Sequence, residues 1–225
     1  MGDAAGQADR PRPLVLLHGV GQSPIAWQDF VSAFGAGRPM TAPWMRGLRP
    51  KDPVGFDLDA AASGVADELE LQGVRRADLL GVSVGASVAL RLAVQRPELV
   101  GRLVVAGALV RPSKGALRMQ KLAMRLVPES KLVDGGVSRP RMLAVLDALK
   151  GFDGTEALRR VEAPTLVVAG SRDRAGVEAA RRLAADVPRA RLHVVDGAGA
   201  MLNTESAREL ADLTHEFLAE DAPDA

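Results

Sequence analysis

Apolar positions along the chain come in two rhythms. Short continuous apolar runs, each ended by Gly or a polar cluster, alternate with longer stretches in which apolar residues return every three or four positions. The first rhythm belongs to strands buried on both faces of a sheet, and it fits "PLVLLHG" (13–19), "RADLLGVSV" (76–84), "VGRLVVAGAL" (100–109), "APTLVVAGS" (163–171) and "ARLHVVDG" (190–197). The second predicts amphipathic helices over "DLDAAASGVADELELQGV" (57–74), "GASVALRLAVQRP" (85–97), "AGVEAARRLAADVP" (175–188) and "NTESARELADLTHEFLAE" (203–220). Gly73 is placed to stop the first helix and Pro97 to close the second. In the last, Leu210, Leu213 and Phe217 share a face, and Ser206 with Glu209 has the spacing of a capping pair.

Strands separated by helices imply right-handed crossovers, hence a doubly wound, mostly parallel sheet in a three-layer α/β/α arrangement. The stretch from Val110 to Ala163 departs from this alternation. It reads as helical pieces, "KGALRMQKLAMRLV" (114–127), "RPRMLAVLDALKG" (139–151) and "GTEALRRV" (154–161). Residues 1–12 and 220–225, rich in Ala, Gly, Pro and Asp, are expected to be flexible tails of one domain spanning 1–225.

Composition narrows the function classes. With 225 residues, 47% of them apolar and 25% charged, the chain can bury one sizeable core. No apolar run reaches the length of a membrane span. The net charge of +1 is spread as arginines among acidic residues, leaving no basic stripe for nucleic acid. There is no cysteine and there are three histidines, His18, His193 and His215, so thiolate chemistry is excluded and a metal site is not expected. No cofactor is called for. The leading residues lack the apolar core of a secretory signal, and the expected compartment is the cytoplasm. The expected partner is a small apolar substrate or ligand, with the chain acting as a monomer or homodimer.

In open sheets of this kind ligands bind beyond the carboxyl ends of the strands, so the informative loops are "HGVGQ", "GVSVG", "GSRDR" and "DGAGA". "GVSVG" (81–85) directly follows a strand and directly precedes a helix of small and aliphatic residues. That is the setting of a nucleophile elbow, a sharp turn that thrusts Ser83 outward and presents the amide of Val84 to a developing oxyanion. In "HGVGQ" no third Gly completes a dinucleotide fingerprint. Its following amide, that of Val20, is placed to be the second oxyanion donor, with His18 bracing the turn.

From Leu14 to Leu218 the chain resembles the α/β-hydrolase superfamily: "LVLLHGVGQ", "LLGVSVGASVALRLA", "PTLVVAGSRD" and "VVDGAGAMLNTESA" stand in its order and near its spacing. The resemblance implies a sheet that starts at what is usually the third strand, two early strands being absent, and a short helical lid at 110–163. It implies a Ser-His-acid triad with Ser83 as nucleophile and Asp173 as acid. The general base belongs after the last strand, where a histidine is usual and this chain has Ala200. An alanine methyl cannot take the proton of Ser83, and an unassisted serine hydroxyl is a poor nucleophile at neutral pH. His193, expected to be buried in the last strand, and His215, in the last helix, are both misplaced by spacing to substitute. In the lid, Met119, Leu122 and Met142, with Met124, Leu126 and Leu146, could line an apolar acyl pocket or pack the lid onto the core.

The function implied is hydrolysis of a carboxylic ester, lactone or thioester through an acyl-serine intermediate, with Ala200 making the chain inactive or very slow. Two alternatives remain open: a binding or regulatory homologue that holds a small ligand without turnover, and a non-hydrolytic cyclase or lyase on the same scaffold.

Overall fold

A sheet of six parallel strands in the order β2-β1-β3-β4-β5-β6 forms the middle layer of the protein. Its computed structural model describes residues 11–53, 55–108, 115, 122, 138–149 and 155–220. The strands are β1 (Leu14–Leu17), β2 (Met40–Thr41), β3 (Ala77–Val82), β4 (Val100–Ala106), β5 (Thr165–Gly170) and β6 (Ala190–Val195). The described helices are α1 (Gln28–Phe34), α2 (Leu58–Leu71), α3 (Val84–Gln95), α4 (Arg139–Ala148), α5 (Thr155–Leu158), α6 (Arg174–Asp186), α7 (Leu202–Glu205) and α8 (Ala207–Ala219). Every ladder is parallel, including Leu14 with Asp78, Leu103 with Thr165 and Val168 with His193. The three-layer expectation is met.

The continuous apolar runs become strands because both faces of the sheet are covered. Val15, Leu17, Leu79, Val105 and Val167 pack on one side with Val65, Leu69 and Leu90. Leu14, Leu16, Leu80, Val104 and Val168 pack on the other with Phe30, Leu210 and Phe217. All residues of β1, β3, β4 and β5 are buried. Helix α2 starts where the Asp57 carboxylate accepts the Ala60 N–H at 2.6 Å, and the chain turns out of it at Gly73 with φ of +71°. At the amino ends of the strands the buried Asp78 pairs with Arg38 at 2.9 Å, while Arg102 donates to the carbonyls of Phe217 and Glu220.

Several expectations need correction. Strand β2 and helix α1 carry no strong pattern: β2 is two residues long and α1 seven. The last helix is two, because Ser206 leaves helical geometry at φ −142° and ψ 45°. Ser206 does occupy the cap position of α8, but its side chain makes no cap bond. His193 is exposed rather than buried, because β6 is an edge strand with a neighbour on one side only. The helical piece at 114–127 lies outside the described residues apart from Gly115 and Leu122, whereas 139–148 is α4 and 155–158 is α5.

Candidate active site

Strand β3 runs into α3 through a single residue. Ser83 sits there with φ 54° and ψ −121°, and among the described residues no other non-glycine has positive φ. Such a backbone costs on the order of 1–3 kcal/mol and persists only where its surroundings hold it. Two of those surroundings are the flanking glycines. A Cβ on Gly85 would overlap the carbonyl of Leu17, and one on Gly81 would overlap the backbone of Gly85 and Ala86. Helix α3 can thus start against the end of β1 only with Gly at both places. The Ser83 N–H donates to the Ala106 carbonyl at 2.8 Å, which fixes the elbow to β4. No described residue engages the amide of Val84, whose place in the first turn of α3 leaves it free for an external acceptor.

Beside the elbow lies the loop that follows β1. A Cβ on Gly19 would come within 3.4 Å of the Ser83 Cβ, so this loop borders the serine directly. His18 is fully buried, lies edge-on to Trp44 with ring centroids 5.2 Å apart, and donates from Nδ1 to the Gly19 carbonyl at 3.0 Å. Burial pushes its pKa down, outweighing that backbone bond, which favours the charged form. The ring is therefore neutral and braces the loop. Val20 is half-buried, and its amide has no partner among the described residues.

The Gln22 side chain accepts the Gly19 N–H at 2.8 Å and exchanges amide contacts of 3.3 Å with Asn203 of α7. Sequence patterning misses this pair because its members stand 181 positions apart. It also misses Arg141, a buried arginine in α4. Its guanidinium donates to the carbonyls of Gly47 and Asp52, both at 2.6 Å, and fastens α4 to the segment 47–53.

The lid residues named from sequence fare differently. Met142, in α4, is 8% exposed. It reaches the loop after β1, where a Cβ on Gly21 would meet its Cε at 3.1 Å. Leu122 is 54% exposed. Leu146 is buried core, whereas Met119, Met124 and Leu126 lie outside the described residues.

Asp173 and Ala200 stand in the loops after the neighbouring strands β5 and β6. The half-buried Asp173 caps α6, its Oδ1 accepting the Gly176 N–H at 2.9 Å. The two loops are stitched together. Arg172 N–H donates to the Ala198 carbonyl at 2.9 Å, Gly197 N–H to Ser171 Oγ at 2.8 Å, and Ser171 Oγ to Asp196 at 3.1 Å. Crowding shapes part of this loop, at Gly199 against α7 and at Gly170 of β5, whereas a Cβ on Gly197, at φ +66°, would meet nothing within 4 Å. A Cβ on Gly170 would overlap the carbonyls of Ala198 and Gly199, and one on Gly199 would overlap the Glu205 carboxylate. Ala200 itself is exposed.

Ser83, Gly19 and, through Gly21, Met142 are thus drawn together, while Asp173 and Ala200 share a second pair of stitched loops. Among the described residues no hydrogen bond joins Asp173 to Ser83. His193 lies two residues short of the end of β6, and the exposed His215 leans on Phe34 with centroids 5.5 Å apart. No group of three His, Cys, Asp or Glu among the described residues could hold a metal, and no described helix is long and apolar enough to cross a membrane.

A family model described as the alpha/beta hydrolase family matches residues 14–213. The chain is 28% identical over 250 residues to the 2-hydroxymuconate semialdehyde hydrolase of Pseudomonas sp. strain CF600, covering 92% of this chain and 87% of that protein. It is 32% identical over 222 residues to part of the polyketide synthase ThaQ of Burkholderia thailandensis, covering 83% of this chain and 11% of the synthase. Among solved structures, the enol-lactonase of Burkholderia xenovorans LB400 superposes with a TM-score of 0.81 at 17% identity, covering 97% of this chain and 94% of that one. That last likeness is one of fold.

Proposed function

This chain belongs to the alpha/beta hydrolase family, and on that premise we propose that it carries the apparatus of a serine hydrolase for a small carboxylic ester, lactone or thioester, stopped by the alanine at the seat of the base. The observation that carries this is the backbone of Ser83, the one described non-glycine with positive φ, set at a strand-to-helix turn. A plain connection has no need of that strain. A serine that must project its hydroxyl into a cleft does.

In this assignment Ser83 Oγ attacks the acyl carbonyl carbon. The new O–C bond forms as the carbonyl electron pair moves onto oxygen, and the amides of Val20 and Val84 stabilise the oxyanion. The Oγ proton must leave to a base and return to the leaving group as the acyl bond breaks, after which water releases the acid by the same route. Asp173 would orient that base. At position 200 the chain has a methyl group, which can neither accept nor donate a proton. In a serine protease, loss of the histidine alone costs on the order of a millionfold in turnover, and roughly a thousandfold over water survives from the oxyanion hole and binding. The same arithmetic predicts a chain close to inert toward esters.

A second function, binding of a small apolar ligand without turnover, is favoured by one observation. His193 lies within β6, two residues short of its end, and His215 packs on Phe34 of α1, so neither stands in for the missing base. The experiment that separates the two measures hydrolysis of short and medium acyl p-nitrophenyl esters by the chain, its Ala200→His variant and the Ser83→Ala control. A gain of about a thousandfold or more in the Ala200→His variant alone supports the hydrolase. A variant as inert as the control supports the binder.

A further inference from the structure

We propose that Gln22 and Asn203 are positioning residues that lock the oxyanion loop to the helix following the base loop, so that donor and base are held in one frame. The proposal rests on the serine-hydrolase function above and adds to it two residues that do not touch substrate.

The loop 18–22 has little rigidity of its own. It contains Gly19 and Gly21, the latter at φ +81°, and its turn is closed by one backbone bond, Gln22 N–H to the Gly19 carbonyl at 3.2 Å. Besides the buried His18, which donates to the Gly19 carbonyl, what holds it is the Gln22 side chain, whose Oε1 takes the Gly19 N–H at 2.8 Å. Gly19 is the residue that borders the nucleophile, and a Cβ placed on it would lie 3.0 Å from Gln22 Oε1 and 3.4 Å from Ser83 Cβ. One amide oxygen thus sets the distance between loop and serine. It also removes the Gly19 N–H from the donors open to an oxyanion, leaving Val20 as the loop's donor.

Gln22 is itself held. Its Nε2 donates to Asn203 Oδ1 and its Oε1 accepts from Asn203 Nδ2, each at 3.3 Å, and Asn203 Nδ2 also meets the Ala26 carbonyl at 3.3 Å. Gln22 is 8% exposed and Asn203 0%, so water does not compete for these bonds. Asn203 follows Ala200 by three residues in α7, and α7 holds the base loop from its other end, where Glu205 packs on Gly199 and pairs with Arg172 at 3.8 Å. A polar chain runs from Gly19, which borders Ser83, through Gln22 to Asn203, in the helix just after position 200. Reciprocal amide bonds fix direction as well as distance, which an apolar contact does not. A misplacement of about 1 Å in a catalytic group can cost a hundredfold in rate.

The test is made in the Ala200→His background, with Gln22→Ala, Asn203→Ala, their combination, and Gln22→Glu, which keeps the acceptor for Gly19 N–H but gives up the donor to Asn203. Circular dichroism and thermal midpoints select the folded variants, and Gln22→Glu retains the side-chain volume should the alanine variants fail to fold. Each single variant is expected to lower kcat by about tenfold to a hundredfold with KM within about twofold, the range set by misplaced rather than absent donors. The double variant is expected to be no slower than the slower single, because one coupled unit has been broken twice. A folded single variant with kcat unchanged, losses confined to KM, or losses that multiply in the double would overturn the coupling alone. An Ala200→His parent without turnover overturns the serine-hydrolase function and the coupling with it.

Discussion

Ser83 combines the nucleophile role proposed for it with a backbone that only glycine adopts freely, and the two pull stability in opposite directions. A Cβ at φ 54° and ψ −121° is a standing strain of about 1–3 kcal/mol, and glycine would give back part of that in chain entropy. Ser83→Gly is therefore expected to stabilise the fold by about 1 kcal/mol, read as a higher urea midpoint, whereas Ser83→Ala keeps the Cβ and gains nothing. His18 supplies a pH dependence. Burial holds its native pKa below the ordinary 6.5. Above about pH 6.5 neither the folded nor the unfolded ring is protonated, and stability is whole. As pH falls through that value the unfolded chain takes up a proton that the native chain refuses, so stability declines until the native pKa is passed. The urea midpoint at about pH 5 should lie below that at about pH 7.5, and His18→Gln should flatten the difference. At this scale Ser83 and its two glycines were legible in "GVSVG", since five consecutive residues build that turn. Gln22 and Asn203 were not, since a contact between residues so far apart in sequence leaves no local mark.

Among elements, the strands with two neighbours were the plainest in the sequence, because a segment covered on both faces is apolar along most of its length, with Asp78, Arg102 and Thr165 as exceptions toward the amino ends. Elements with one covered face, or with too few residues to show a period, were read less well. β2 is two residues long, and β6 exposes His193 at the edge of the sheet. Helix α4 shows a different gap. Its apolar residues suggested a pocket lining or packing onto the core, and Val145 and Leu146 are buried, yet its attachment draws also on Arg141, a polar residue whose donors meet the carbonyls of Gly47 and Asp52, with Pro50 and Pro53 at longer range. Burying a guanidinium is tolerable only with that set of acceptors. Arg141→Met keeps much of the volume and strips the donors. It should lower stability by about 2 kcal/mol and open the 138–149 segment to limited proteolysis, while a variant with unchanged stability would show that α4 is held by packing alone.

The whole molecule is a doubly wound parallel sheet of the alpha/beta hydrolase family, and its candidate site divides into a part carried by strain and crowding and a part left empty. The elbow, the loop bordering it and the stitched loops after β5 and β6 are all shaped by contacts that do not involve the side chain at position 200. Ser171, Asp196, Gly199 and Glu205 order the loop after β6 around an exposed alanine. Placing a histidine there should accordingly need no rebuilding of the fold. The most direct test is labelling by a fluorophosphonate probe, which reports an activated serine without assuming a substrate. The Ala200→His variant should be labelled at Ser83, the unaltered chain should be labelled at most very slowly, and Ser83→Ala in the Ala200→His background should abolish the signal. Rapid labelling of the unaltered chain, or none in the Ala200→His variant, would contradict the account.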